Sequence, residues 1–246
     1  MKIHVGTNGY SYKEWIGAFY PEKISPKEML NFYSQHFDTV EINNTFYHMP
    51  TESVLTSWAQ KVPRDFVFAV KAPRTITHLK RLRDVGKETK YLFRMLSVLG
   101  VRLGPVLFQF PGSFHANPTA LKEFLTLIPR TIACAFEFRH ASWLDAQILK
   151  TLTERNLGLC TADAEENPAR EIVSTTSWGY LRLRRTDYTN AELSAWKKKI
   201  LSQNWDKAFV FFKHEEEEPQ GQGPETAIRF RELIDSQGKT SRQKTG

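Results

Sequence analysis

The sequence predicts an α/β protein built as a single (βα)8 TIM barrel, and three observations carry that expectation. Short β-rich runs alternate with amphipathic segments from end to end, which calls for a parallel sheet with crossover helices. Eight such units can be counted over 246 residues, a usual length for one barrel domain. The third observation is the stretch ACAFEFRHASW at 133–143. Read as a strand, it turns Phe136 and Phe138 to one side and Ala135, Glu137 and Arg139 to the other. Aromatic residues outside and an ion pair inside suit a barrel strand whose inner face ends at a pocket.

The units follow in order. A strand at 3–6 leads through a loop holding Tyr10, Trp15 and Phe19 to a helix over 26–37, with Pro26 in its first turn. A strand at 39–43 precedes a helix over 51–61. A third strand at 66–71 is followed by a polar loop through His78 and a helix over 87–99, closed by Gly100. The fourth strand, 105–110, precedes a helix starting at Asn117 and Pro118. The fifth, 132–139, runs to Ser142, read as an N-cap, and a helix to Arg155. The sixth strand spans 157–163, the seventh 180–184 before a helix over 190–203, and the eighth 209–213 before a helix over 224–234. The barrel domain is therefore placed at 1–235, with a polar, disordered tail at 236–246.

Parallel barrel strands are buried on both faces, so ionisable residues within them need a reason. Here they share a parity near the strand ends: Glu41 and Asn43, Lys71, Gln109, Glu137 and Arg139, Asp163, Arg182 and Arg184. The opposite parity carries Val40, Ile42, Phe68, Phe108, Leu181 and Leu183, which a helix layer would cover. The polar set thus points to the barrel axis at its C-terminal face, where barrel enzymes place their active sites. Buried ion pairs stabilise poorly compared with apolar filling, which favours a functional over a purely structural reason for them.

Guanidinium forks match carboxylate and phosphate, so Arg139, Arg182 and Arg184 are expected to bind an anion, with Glu137 or Glu41 as general acid or base. Lys71 is a catalytic candidate and, as the minor alternative, a Schiff-base nucleophile. Asp163 joins the catalytic set, and His140, His78 and His214 lie just past strands, where each can shuttle a proton. Lys213 and His214 close the eighth strand, ahead of the acidic run at 215–218. No HxH or HExxH spacing is present, so no metal ligands are assigned, no cofactor is identified, and a divalent ion is the less favoured reading. Tyr10, Trp15 and Tyr47 sit in loops at the same end, where they can stack on a ligand ring or pack the rim.

A formal net charge of +7 favours anionic partners. Cys134 and Cys160 lie inside apolar runs and read as buried free thiols. No run approaches the ~18 apolar residues of a membrane span, and the chain opens directly on a strand without a leader, so a cytoplasmic location is expected.

The motifs GTNGY at 6–10, FYP at 19–21, VEINNTFY at 40–47, VK at 70–71 with TH at 77–78, FQFP at 108–111, EFRHASW at 137–143 and YLRLR at 180–184 resemble, in order, domain of unknown function 72, the YecE-like proteins. The resemblance covers about 3–235 and implies the same (βα)8 barrel. It carries over Glu41, Asn43, Lys71, His78, Gln109, Glu137, Arg139, His140 and Arg182 as site candidates. The chain departs from the family pattern after strands seven and eight, where it has Arg184-Arg185 and Lys213-His214 followed by glutamates. The leading functional expectation is an enzyme of hydrolase or isomerase type acting on an anionic, phosphate- or nucleotide-containing small molecule. A protein that binds nucleic acid or a nucleotide without catalysis is the alternative.

Overall fold

In the computed structural model of the chain, which describes residues 1–169, 171–213 and 222–242, the elements come in the order β1 (Lys2–Thr7), α1 (Met29–His36), β2 (Thr39–Ile42), α2 (Glu52–Lys61), β3 (Val67–Lys71), α3 (Gly86–Leu96), β4 (Leu103–Gln109), α4 (Pro118–Thr126), β5 (Cys134–Glu137), α5 (Ala146–Glu154), β6 (Gly158–Asp163), β7 (Trp178–Leu183), α6 (Asn190–Leu201), β8 (Lys207–Phe212) and α7 (Gln222–Arg242). All ladders are parallel, and the sheet order is β1-β8-β7-β6-β5-β4-β3-β2. The expected (βα)8 barrel is therefore present.

Two apolar layers hold it. Inside the barrel, Ala69, Leu107, Ala135, Cys160, Tyr180, Phe209 and Phe211 pack on one another. Between strands and helices lies the larger core, including Val40, Phe68, Phe108, Phe136, Leu181 and Val210. The parity argument accounts for both layers, since neighbouring residues of one strand enter different cores. Both cysteines are buried free thiols.

Helix starts follow side-chain chemistry. Thr51 and Asn117 accept from Val54 and Ala120 N–H, and Thr189 with Glu192 forms a capping box on α6. The start of α5 differs from the expectation at Ser142. Its cap is Asp145, which accepts from Gln147 N–H, while Ser142 Oγ accepts from Ala116 N–H across the rim at 2.8 Å. The last helix is continuous to Arg242 instead of ending at 234, because no proline interrupts its polar second half.

Two seams interrupt the ring. Strands β1 and β2 meet by a single bridge, Asn8 with Glu41, where Gly9 N–H donates to the Glu41 carbonyl at 2.8 Å. They approach so closely that a Cβ on Gly6 would sit 2.1 Å from Thr39 O. Strands β5 and β6 share only the pairs Ala135–Gly158 and Phe136–Leu159.

Strict eight-fold alternation fails next to this second seam. The connection from β6 to β7, residues 164–177, has no helix among its described residues. Pro168 removes a donor, and Ile172, Val173, Thr175 and Thr176 are β-branched, which disfavours a helix. The segment is instead tied back to β6. Ala169 N–H donates to Asp163 Oδ1 at 2.9 Å, and Thr175 Oγ1 donates to Leu157 O and accepts from Leu159 N–H.

Candidate active site

At the C-terminal mouth of the barrel, one guanidinium joins two carboxylates from distant strands. Arg182 on β7 donates from Nη1 to Glu137 Oε2 on β5 at 2.6 Å and from Nη2 to Glu41 Oε1 on β2 at 3.0 Å. The Tyr180 hydroxyl donates to Glu41 Oε2 at 2.7 Å, and Arg139 Nε donates to Glu137 Oε1 at 3.1 Å. All four carboxylate oxygens are thus engaged. Glu41 is 0% exposed, Arg182 2% and Glu137 3%, so these are desolvated charge-assisted bonds.

The electrostatics follow from that geometry. Burial alone would raise the Glu137 carboxyl, but Arg182 and Arg139 outweigh it and hold the group at about 2. Burial with the Glu41 charge drives the Tyr180 phenol well up. Glu41 and Glu137 hold the Arg182 guanidinium above its ordinary range against burial. Burial and the Arg182 charge push Arg184 down. The Nε–H groups of Arg182 and Arg184 are buried and donate to no partner.

Lys71, at the end of β3, lies beside this network with its Nζ 4.3 Å from the centre of the Phe46 ring. Burial, and next the Arg182 charge, push its amine down to about 8, against a partial upward pull from Glu41 and Glu137. His78 follows in a π-helical turn, Thr75–Leu79. Its Nδ1 is 2.9 Å from Thr77 Oγ1, and its ring meets Phe46 edge-on at 4.8 Å. Burial and then the Lys71 charge bring His78 down to about 4, which leaves the imidazole neutral at physiological pH.

The structure brings Glu41, Glu137, Arg139 and Arg182 within electrostatic reach of both Lys71 and Arg184, with His78, which feels Lys71 and Arg139, at the edge. Gln109 is buried beside Glu137 in register, and Asn43 follows β2 with a buried, unpartnered Oδ1. Asp163 is a correction. Residues Cys160 and Ala162 pair with Tyr180 and Arg182 and share their inward face, so Asp163 turns outward. There it binds Arg185 Nε at 2.9 Å, the Tyr188 hydroxyl at 2.8 Å and Ala169 N–H. His140 is also set apart, with Nδ1 2.8 Å from Ser142 Oγ and its ring 3.8 Å from that of His115.

Of the loop aromatics, Trp15 is 1% exposed and packs on Tyr12, Phe19 and Tyr20. Tyr10 lines a groove with Leu30 and Trp58 of α1 and α2, where burial raises its phenol to about 12. Both are rim packing. Tyr47 alone of the three is exposed, beside Phe46. Lys213 is partly buried with its N–H donating to Leu183 O, while His214 and the acidic run 215–218 lie outside the described residues. Sequence reasoning missed Tyr180, because a tyrosine reads as apolar filler, and Asn8, whose inward Oδ1 is buried without a partner.

A cavity of about 410 Å³ opens at the β5–β6 seam. Glu137, Arg139 and Arg184 line it from the barrel, Leu159, Pro168 and Val173 give it an apolar side, and Glu166 and Glu171 of the β6–β7 connection add two carboxylates to its lining. Its outer wall is the segment that stands where a helix would otherwise pack. Among the described residues, no group of three His, Cys, Asp or Glu side chains is arranged to hold a metal ion.

The model of the family described as "Protein of unknown function DUF72" matches residues 4–245. The chain belongs to the DUF72 family. Curated relatives include UPF0759 protein YecE of Escherichia coli K12, 32% identical over 140 residues, which cover 56% of this chain and 48% of that protein. UPF0759 protein YunF of Bacillus subtilis is 30% identical over 149 residues, 57% of this chain and 52% of YunF. The chain therefore aligns with about half the length of these relatives. Among solved structures, a DUF72 family protein of Thermotoga maritima superposes with a TM-score of 0.83 at 26% identity, over 96% of this chain and all of the other. A second, from Enterococcus faecalis, gives 0.77 at 18% identity over 95% of each chain and shares the fold. No described helix of this DUF72 chain is long and apolar enough to cross a membrane.

Proposed function

We propose that this DUF72 protein is an enzyme that binds an anionic small molecule, phosphate- or nucleotide-containing, at the C-terminal face of its barrel and acts on it by proton transfer, in a hydrolysis or isomerisation. One observation carries the reading. Two carboxylates, with every oxygen engaged, share the site with four cationic side chains, Lys71, Arg139, Arg182 and Arg184. The formal surplus is two positive charges, one more than the sequence suggests, because Asp163 faces elsewhere. A surplus of that kind at the mouth of the barrel favours an anion.

The roles within the site shift from the carboxylates to the lysine. A carboxyl held at about 2 between two guanidiniums neither donates nor takes a proton readily near neutrality. Glu137 and Glu41 serve to fix Arg182, and Lys71, at about 8, is the group matched to acid–base work. Arg184 and Arg139, on the barrel side of the cavity, are the anion contacts.

The nucleic-acid alternative has less support. Its main sequence feature is the basic run at 197–199 on α6, where Lys197 is 8% exposed and donates to Leu233 O, and Lys199 lies over the Trp196 ring. The test is thermal stability of the purified protein with inorganic phosphate, phosphate monoesters, nucleotides and short oligonucleotides, repeated with Arg184→Gln. A small phosphate that raises the melting temperature of the wild type and not of the variant is the expected result. Stabilisation by oligonucleotides alone, unchanged in the variant, would refute the reading.

A further inference from the structure

The network accounts for all four oxygens of Glu41 and Glu137 and leaves two cationic groups out, Arg184 and Lys71. Glu41 is consumed by Arg182 and Tyr180, and Glu137 by Arg182 and Arg139. The Lys71 amine, half-buried, is turned toward the Phe46 ring. The cations Arg182 and Arg139 act on it against Glu41 and Glu137, whose oxygens are already taken by other donors. An amine with desolvating walls and adjacent positive charge is disfavoured as ammonium and exists in part as the free nucleophile. The same cations are what would hold a carboxylate or phosphate.

We infer that Lys71 is a nucleophile that condenses with the carbonyl carbon of a small anionic aldehyde or ketone, whose charged group docks on the arginines beside it. The inference rests on the anion-binding reading above and narrows it to one substrate class. In the step, the neutral Nζ bonds to the carbonyl carbon, the amine gives up both its protons, and the carbonyl oxygen leaves as water, so that an imine and one water form from the two reactants. The neutral His78 imidazole meets the same Phe46 ring edge-on at 4.8 Å and lies within the field of Lys71, placed to exchange a proton with the adduct. Neighbouring guanidiniums keep their protons throughout, so they hold charge and do not compete as nucleophiles.

Reductive trapping tests this on the full chain. The protein is incubated with glyoxylate and cyanoborohydride, which reduces the imine carbon and leaves a stable secondary amine, and the modified peptide is mapped by mass spectrometry. With Lys71 at about 8, it holds ~200-fold more free amine at pH 7.5 than an ordinary exposed lysine. A single adduct at Lys71 is expected, forming well before any other lysine reacts. Its rate should climb with pH up to about 8 and level off there, drop at least tenfold in Arg139→Gln, and far exceed the rate with uncharged acetaldehyde. The mapping uses the wild type, so a poorly folded variant does not compromise it; Lys71→Arg, with its melting temperature recorded, serves as the control.

Adducts scattered over surface lysines, with glyoxylate still raising the melting temperature through Arg184, would overturn the nucleophile and leave anion binding intact. Inorganic phosphate that stabilises the protein while glyoxylate neither stabilises nor labels it would overturn the carbonyl class alone. If neither anion stabilises the wild type, the anion-binding reading fails and takes this inference with it.

Discussion

Replacing Arg182 with methionine probes whether the charge network is as tightly coupled as its geometry implies. The guanidinium is 2% exposed and makes two bonds, at 2.6 and 3.0 Å, to carboxylates that are themselves buried. Methionine fills much of the volume, so the cost is mainly electrostatic. Glu137 keeps Arg139, but Glu41 keeps only the Tyr180 hydroxyl. Removing one partner of a buried pair costs about 3–5 kcal/mol, because the other charge stays in a poorly solvating interior. At roughly 2–4 °C per kcal/mol for a chain of this size, the melting temperature should fall by about 6–20 °C.

The pH dependence gives a sharper criterion. In the wild type, Glu137 has a folded value of about 2 against an ordinary 4.5, so it stabilises the fold above pH 4.5 and that contribution is lost as pH falls toward 2. In Arg182→Met, Glu137 loses the stronger of the two guanidiniums that hold it down, so its carboxyl rises toward the ordinary value. The contribution that the wild type loses between pH 4.5 and 2 is then already missing, and the stability deficit narrows as pH falls through that window. Urea unfolding at pH 7 and pH 3 measures both effects, and adding Glu41→Gln should recover about 2 kcal/mol at pH 7. A loss under 1 kcal/mol at pH 7, or a deficit that widens on acidification, would show that the network does not bear on the fold.

Four further outcomes are expected. Glu137→Gln should flatten the loss of stability between pH 4.5 and 2 in acid-unfolding curves, since that is the window its depressed carboxyl controls. Lys71→Met should raise the melting temperature at pH 7 and lose that advantage as pH rises from about 8 toward 10.5, because the native amine is disfavoured as ammonium only while it is protonated. Gly6→Ala would place a Cβ 2.1 Å from Thr39 O at the barrel closure and should cost about 1–3 kcal/mol in urea unfolding. Thr189→Ala removes the hydroxyl that caps α6 and should cost about 1 kcal/mol in the same assay.

Strand parity made most of the site legible in the sequence. On β2, β3, β5 and β7 large apolar residues mark the outer face, and Glu41, Lys71, Glu137 and Arg182 fall on the other. The rule failed on β6, where Thr161 and Asp163 have the polar parity while Cys160 and Ala162 are small. That failure and the missing helix have one cause. Where a loop instead of a following helix covers the outer end of a strand, an apolar outer face is not needed, so polarity ceases to report direction there. Tyr180 was legible only as a parity marker, since nothing local in the sequence says that its hydroxyl meets a carboxylate on β2, 139 residues away. Trp15 and Tyr10 look like ligand-stacking groups because loop position is visible in sequence and burial is not.

The two seams also divide the barrel mechanically. Strands β2 to β5 form one continuous ladder and β6, β7, β8 and β1 another, joined by one bridge on one side and two residue pairs on the other. Glu41 and Glu137 stand on the outermost strands of the first half, and Arg182 and Tyr180 come from the second. The buried ion pairs therefore act as a bolt driven through both joints at once, and they rather than backbone ladders carry load across them. Such a protein couples the integrity of its pocket to the cohesion of its halves. Hydrogen exchange should resolve the two ladders as separate cooperative blocks, and an anion that tightens the bolt should merge them into one.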